Sequence, residues 1–260
     1  MLLPRVLTAL VGIPLLLSLV HAGGMAYSLL IVAVAALCAY EYALILKIGG
    51  RPVQGVSVVL IAATLAGCAS IGAALAPALA LGTVLVMLIE MFSKAHSLDR
   101  VALTLFGALF AGWLPAHLAL IRGIRPHGES FMYLTFASVW AMDTAAYAAG
   151  RAFGKRPLAP ILSPKKTWEG AGAGLAAALL VCLVFQKYPL RDVLTPWQAL
   201  AIGLVIAVSG QLSDLAESLV KRDAGVKESG LLLPGHGGVL DRFDSFIFCA
   251  PAVYYALSLR

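Results

Sequence analysis

Nine apolar runs, each close to the length of a bilayer-spanning helix, decide what this chain can fold into. They cover residues 6–22, 25–46, 54–74, 77–92, 102–121, 130–150, 170–187, 197–220 and 244–259. A helix needs about 20 apolar residues to cross the hydrocarbon core, where only helices and closed barrels satisfy their own backbone. Composition agrees: 61% of residues are apolar and 12% charged, against roughly 25% charged in a soluble domain. Mean hydropathy is +0.92. The expectation is an all-α, polytopic transmembrane helical protein of about nine spans.

Charge placement orients those spans. With the N-terminus in the cytoplasm, fourteen of the nineteen basic residues fall on the cytoplasmic side: Arg5, Lys47, Arg51, Lys94, Arg100, Arg151, Lys155, Arg156, Lys165, Lys166, Lys221, Arg222, Lys227 and Arg242. Arg122, Arg125, Lys187, Arg191 and Arg260 remain opposite. The positive-inside bias thus places the N-terminus inside and the C-terminus outside. A cleaved signal peptide ending near Val20-His21-Ala22 is the lesser alternative, because its basic region is Arg5 alone and a second span follows almost at once.

Cys38, Cys68, Cys182 and Cys249 lie far apart in apolar runs, without ligand spacing, and read as small packing residues. Gly23-Gly24 and Gly49-Gly50-Arg51-Pro52 mark turns. No repeat of fixed period is visible. Glu41, between Tyr40 and Tyr42, reads either as an interfacial acid in an aromatic belt or as a polar partner for a basic residue.

Polar chemistry gathers in three later segments. Asp143 falls within the sixth run, where a carboxylate needs a cation, a metal or a proton. Asp143 and Tyr147 share a helix face; a structural salt bridge is the alternative role. Ser163-Pro164-Lys165-Lys166-Thr167-Trp168-Glu169-Gly170 sets two lysines before a glycine-rich helix start, which suits an anion or simply a cytoplasmic membrane edge. In the third segment, Asp214, Glu217, Ser218 and Lys221 recur at i, i+3, i+4 and i+7 and form one polar stripe. Pro234-Gly235-His236-Gly237-Gly238 follows, and Asp241 and Asp244 share a face at the next helix start. Oxygen ligands without clustered Cys or His favour Mg²⁺ over zinc. The glycines let backbone approach a bulky polyanion. A salt-bridge network capping two helices is the alternative.

The run Ser218-x-x-Lys221-Arg222-x₄-Lys227-Glu228, continuing through Pro234, His236-Gly237-Gly238 and Asp241-Arg242-x-Asp244, resembles the hallmark of the CTP:phosphatidate cytidylyltransferases (CDP-diacylglycerol synthases). Asp143-Thr144-x-Ala146-Tyr147 and Ser163-Pro164-Lys165-Lys166-Thr167-x-Glu169-Gly170 resemble that family's two other polar stretches. The ordered matches cover 143–245. Glu228 stands where the family usually has Asp, and Ala145 where it usually has Gly.

The resemblance implies an enzyme of phospholipid biosynthesis that turns CTP and phosphatidic acid into CDP-diacylglycerol and pyrophosphate with Mg²⁺, with room for a second cation. Asp214 and Asp241 are expected to ligate the metal, joined by Asp244 and Glu217. Lys221, Arg222 and His236 are expected at the reacting phosphates. Asp143, Lys165, Lys166, Lys227, Arg242, Ser218, Gly237 and Gly238 are expected to bind substrate. Residues 1–260 are expected to form one integral membrane domain, 1–121 mainly scaffold and 130–260 carrying the catalytic spans and cytoplasmic loops. Expected partners are CTP, phosphatidic acid and bilayer lipid, with no nucleic acid. Glycine-rich faces on the seventh run leave room for a homodimer. The expected location is a bacterial inner membrane, with the site facing the cytoplasm. A transporter is the rival class, but its polar groups would cross the midplane in several spans rather than gather at one face.

Overall fold

The computed structural model describes residues 3–230 and 237–259, with side chains described from residue 10 onward. Helices make up almost all of it: α1 (Leu3–Ala22), α2 (Gly24–Ile48), α3 (Gly55–Ser70), α4 (Leu75–Met91), α5 (Leu98–Ala108), α6 (Leu114–Gly123), α7 (Gly128–Phe153), α8 (Trp168–Lys187), α9 (Pro196–Asp223) and α10 (Leu240–Ser258). A π-helical turn, Leu109–Trp113, joins α5 to α6 in one continuous rod. Each of the nine apolar runs therefore lies largely on helix, and the all-α expectation fits.

Crossing a membrane is a stricter condition. Among the described residues, four helical rods are long and apolar enough: Gly24–Ile48, Leu98–Gly123, Trp168–Lys187 and Pro196–Asp223. Helix α3 has 16 residues and α4 has 17. At about 1.5 Å per residue both fall short of 30 Å. Helix α7 has the length, with 26 residues, but carries Glu129, Asp143 and Arg151 along it.

The chain divides into two compact units, one of residues 1–123 and 220–243, the other of 124–219 and 244–260. In the first, Ile61, Leu65, Val86, Val101 and Ala108 form a buried core. Polar groups in this interior meet backbone carbonyls rather than water: the Tyr42 hydroxyl donates to Leu103 O (2.9 Å) and the Tyr27 hydroxyl to Leu118 O (3.1 Å). Such partners are needed where burial would otherwise strand a donor.

In the second unit, α7 and α8 pack closely through glycine. A Cβ on Gly170 would lie 2.6 Å from the Ala146 carbonyl oxygen, and one on Gly174 would lie 3.0 Å from that of Met142. Backbone carbonyls cannot swing aside, so these glycines set the interhelical distance. Ring contact between Phe136 and Phe246 (5.0 Å, edge to face) ties α7 to α10. Among the described residues the four cysteines form no disulfide, and three of them are buried.

Between α7 and α8 the chain forms a feature outside the all-α expectation. Strands β1 (Pro157–Ala159) and β2 (Ser163–Thr167) pair antiparallel, Pro157 opposite Thr167 and Ala159 opposite Ser163. Pro157, Pro160 and Pro164 exclude helix here and suit a short edge ribbon. The Thr167 hydroxyl then caps α8 by accepting from Gly170 N (3.2 Å), and Glu169 Oε2 accepts from Lys155 N (3.1 Å) and Arg156 N (3.3 Å).

The packing predicts opposite outcomes for two neighbouring glycines. Gly170→Ala is expected to destabilise the protein by about 1–3 kcal/mol through overpacking. Gly172→Ala, with nothing within 4 Å of the added carbon, is expected to hold or raise stability through helix propensity. Thermal unfolding in detergent compares them directly.

Candidate active site

A carboxylate in an apolar environment needs a cation, hydrogen-bond donors or a proton, and the second unit brings several carboxylates together. Asp214 and Glu217 stand one helical turn apart on α9, and Asp244 stands in the first turns of α10. Each offers an oxygen within 4.8 Å of the others. Glu217 is fully buried. Three carboxylates this close repel one another strongly unless a cation or protons intervene, and an all-oxygen set matches a hard divalent cation. The residues present therefore fit Mg²⁺ chemistry.

Hydroxyls fix this arrangement. The Ser213 hydroxyl donates to the Asp244 carbonyl and accepts from Phe248 N (3.0 Å), so it clips α9 to α10. Ser245 N donates to Asp244 Oδ1 at 2.6 Å, and the Ser245 hydroxyl donates to Asp143 on α7 at 3.4–3.5 Å.

Beside the carboxylates lies a cavity of about 650 Å³. Its walls include Asp143, Tyr147 and Arg151 from α7, Lys165 and Lys166 from β2, and Gln211 and Asp214 from α9. Lys166 Nζ contacts Asp214 Oδ2 at 2.5 Å. Arg151 donates to the Tyr147 hydroxyl (3.2 Å), and Gln211 donates to Ala171 O (3.3 Å) at the base of α8. Gly150 and Gly170 complete the lining without side chains. The cavity thus has cations on one wall and carboxylates on another. Such a site can hold a polyanion against a metal.

The first unit holds a separate polar network. Lys221, at the end of α9, donates to Asp241 Oδ1 at 2.7 Å. Asp241 Oδ2 accepts from Ser229 N (3.0 Å), the Ser229 hydroxyl (2.9 Å) and Gly238 N (3.0 Å). Both Asp241 oxygens are therefore taken up by protein donors, and the converging trio is Asp214, Glu217 and Asp244. Burial pushes the Asp241 carboxyl up, but the hydrogen bonds from Lys221, Gly238 and Ser229 and the Lys221 charge outweigh it and hold the group at about 2. Gly237 adopts a φ of +81°, and a Cβ there would lie 2.8 Å from Asp241 Oδ2. Only glycine accommodates both demands.

Sequence reasoning brought Asp143, Lys165, Lys166, Asp214, Glu217 and Asp244 into view, and the second unit holds all six. Ser218 is buried there too. Lys221, Asp241, Gly237 and Gly238 belong to the network of the first unit, while Arg222, Lys227 and Arg242 are exposed on it. His236 lies outside the described residues. Missed altogether were Ser213, Ser229, Ser245 and Gln211. Thr167 had a readable signal, a threonine directly ahead of a helix start; the serines had none.

The fold is thus mostly helical and rich in apolar residues, with a carboxylate trio beside a lysine-walled cavity. The sequence profile described as the Cytidylyltransferase family matches residues 3–260, and the chain belongs to that family. It is similar to the phosphatidate cytidylyltransferase of Synechocystis sp., 32% identical over 98% of this chain and 96% of the relative. The Bacillus subtilis enzyme of the same name is 37% identical over 172 residues, 65% of this chain and 62% of the relative. The Brucella suis one is 45% identical over 57% of this chain. The chain spans less than two thirds of the length of the Bacillus relative and 54% of the Brucella one.

The Asp241 network carries a pH signature. Its carboxyl sits at about 2 against an ordinary 3.8, so the unfolded chain binds a proton more readily than the folded one between those values. The stabilisation is complete above about pH 4 and is lost as pH falls toward 2. Thermal unfolding across that interval should show this slope, and Asp241→Asn should flatten it.

Proposed function

We propose that this chain is a phosphatidate cytidylyltransferase, transferring CMP from CTP to phosphatidic acid and releasing pyrophosphate. The observation that carries the reading is the Asp214–Glu217–Asp244 trio beside the cavity walled by Lys165 and Lys166. The full-length likeness to the Synechocystis protein of that name supports it.

Chemically, an oxygen of the lipid phosphomonoester attacks the α-phosphorus of CTP. The bond from that phosphorus to the α–β bridging oxygen breaks, and pyrophosphate leaves. The nucleophile is already an anion, so no strong general base is required. The barrier lies in joining two polyanions, and preorganised charge lowers it. Lys165, Lys166 and Arg151 neutralise the triphosphate and the lipid phosphate at the cavity wall. Asp214, Glu217 and Asp244 would hold Mg²⁺, which when bound supplies charge neutralisation to the phosphates. Asp143, linked to Ser245, keeps α7 aligned with the start of α10. Lys221 and Arg222 are assigned to phosphate binding by their place in the motif that resembles the family's, and Asp241 orients Lys221. Gly237 and Gly238 keep the backbone close to that carboxylate.

The same proposal includes a nine-span arrangement in a bacterial inner membrane, N-terminus and phosphate chemistry on the cytoplasmic side. It also treats 1–260 as one integral membrane domain. A lipid whose tails stay in the bilayer then meets a nucleotide arriving from water.

Purified protein in detergent with CTP, phosphatidic acid and Mg²⁺ should release pyrophosphate and form CDP-diacylglycerol, and a chelator should abolish both. Asp244→Asn and Glu217→Gln should each lower turnover by about 100-fold or more. Lys166→Met should raise the KM for CTP more than that for phosphatidate. Product formed from CTP and a different lipid phosphate, with none from phosphatidate, would overturn the substrate assignment.

A further inference from the structure

Glu41 belongs to none of the three polar motifs, yet it is the most completely enclosed acid of the first unit. It projects from α2 and is fully buried. Neither sequence reading describes its surroundings. It is enclosed by protein, and the donors on its oxygens are two backbone amides and a hydroxyl. Oε1 accepts from Val239 N (2.9 Å); Oε2 accepts from Leu240 N (2.8 Å) and from the Ser229 hydroxyl (2.9 Å). Val239 and Leu240 open α10, where backbone N–H groups have no acceptor within the helix. A carboxylate at that position is also favoured by the helix dipole.

Two glycines make room for it. A Cβ on Gly230 would stand 3.0 Å from Glu41 Oε1, and one on Gly238 would fall on the Ser229 hydroxyl and on Glu41 Oε2. The loop is thus shaped around this acid. Ser229 carries the effect onward: the same hydroxyl lies 2.9 Å from Glu41 Oε2 and 2.9 Å from Asp241 Oδ2. One hydroxyl hydrogen is shared between two carboxylates, so the position of either oxygen sets the geometry available to the other. Asp241 in turn holds Lys221 at 2.7 Å.

We propose that Glu41 is a positioning residue for the reaction, acting through Ser229 to set Asp241 and Lys221. The proposal rests on the cytidylyltransferase reading. Glu41 touches no substrate in it. Its part is to fix the start of α10 and the Ser229 hydroxyl, so that the Lys221 ammonium, assigned above to phosphate binding, keeps one orientation. The contacts require an acceptor on both oxygens. Glu41→Gln preserves size but aims an amide NH₂ at a donor, either Val239 N or the pair Leu240 N and Ser229 Oγ.

The test uses the full-length protein in detergent with CTP, phosphatidate and Mg²⁺. Ser229→Ala is the decisive variant, because it removes the shared hydroxyl and leaves both backbone donors on Glu41. It is expected to raise the KM for CTP about tenfold, to leave the KM for phosphatidate unchanged and to keep the melting midpoint. Glu41→Gln is expected to raise the KM for CTP at least as far, and the double variant no further, since the two act along one path. A role confined to folding would lower the active fraction, and hence apparent kcat, without moving either KM. Wild-type KM values for Ser229→Ala would therefore overturn the proposal on their own. A wild-type protein inactive on CTP and phosphatidate would sink the reaction reading and this proposal together.

Discussion

Charge inside an apolar medium has to be answered where it stands, and the rest of this structure follows from that constraint. The chain carries 13 acidic residues among 260, and several of them cluster instead of spreading over a surface. Asp214, Glu217 and Asp244 converge on one spot, with Lys166 against the first of them. Asp241 is ringed by four donors, and Glu41 by three. Burying an unanswered charge costs several kcal/mol or more, so these groupings set which helix ends meet and how the polar loops fold.

Close backbone approach is the second means by which the fold holds the site. Gly170 and Gly174 let α8 lie against α7, which brings the β2 lysines over the cavity that Asp143 and Asp214 also line. The proline-bearing hairpin then supplies a stiff wall where a helical connection would have carried the lysines elsewhere. Serine hydroxyls perform the fine adjustment. Ser213 and Ser245 hold α10 to α9 and α7, and each accomplishes this with a single small group that an apolar interior tolerates because it is bonded.

Local features were legible in the sequence, and features made by distant contacts were not. Apolar runs are local, so each of the nine coincides largely with helix; α3 is shorter than its run because 54–74 takes in turn residues beyond Ser70, whereas the run behind α4 was short from the start. Asp214 and Glu217 could be placed on one face from their spacing alone, and Asp244 could be named as their companion from its motif. Asp241 has the same residue type and a similar position, and spacing cannot reveal that Ser229, Gly238 and Lys221 already surround it. Glu41 is the extreme case. Its donors come from residues 188 to 199 positions later, and nothing in its own neighbourhood announces them.

That separation has a consequence for biogenesis. A ribosome adding about 5–20 residues per second needs roughly 10–40 s to travel from Glu41 to the residues that enclose it. During that interval α2 exists with its acid and without its intended donors. Either water reaches the side chain, or the nascent helix stays near a polar interface, until the C-terminal segment arrives. Synthesis of residues 229–240 thus acts as the closing step of assembly around a helix made much earlier.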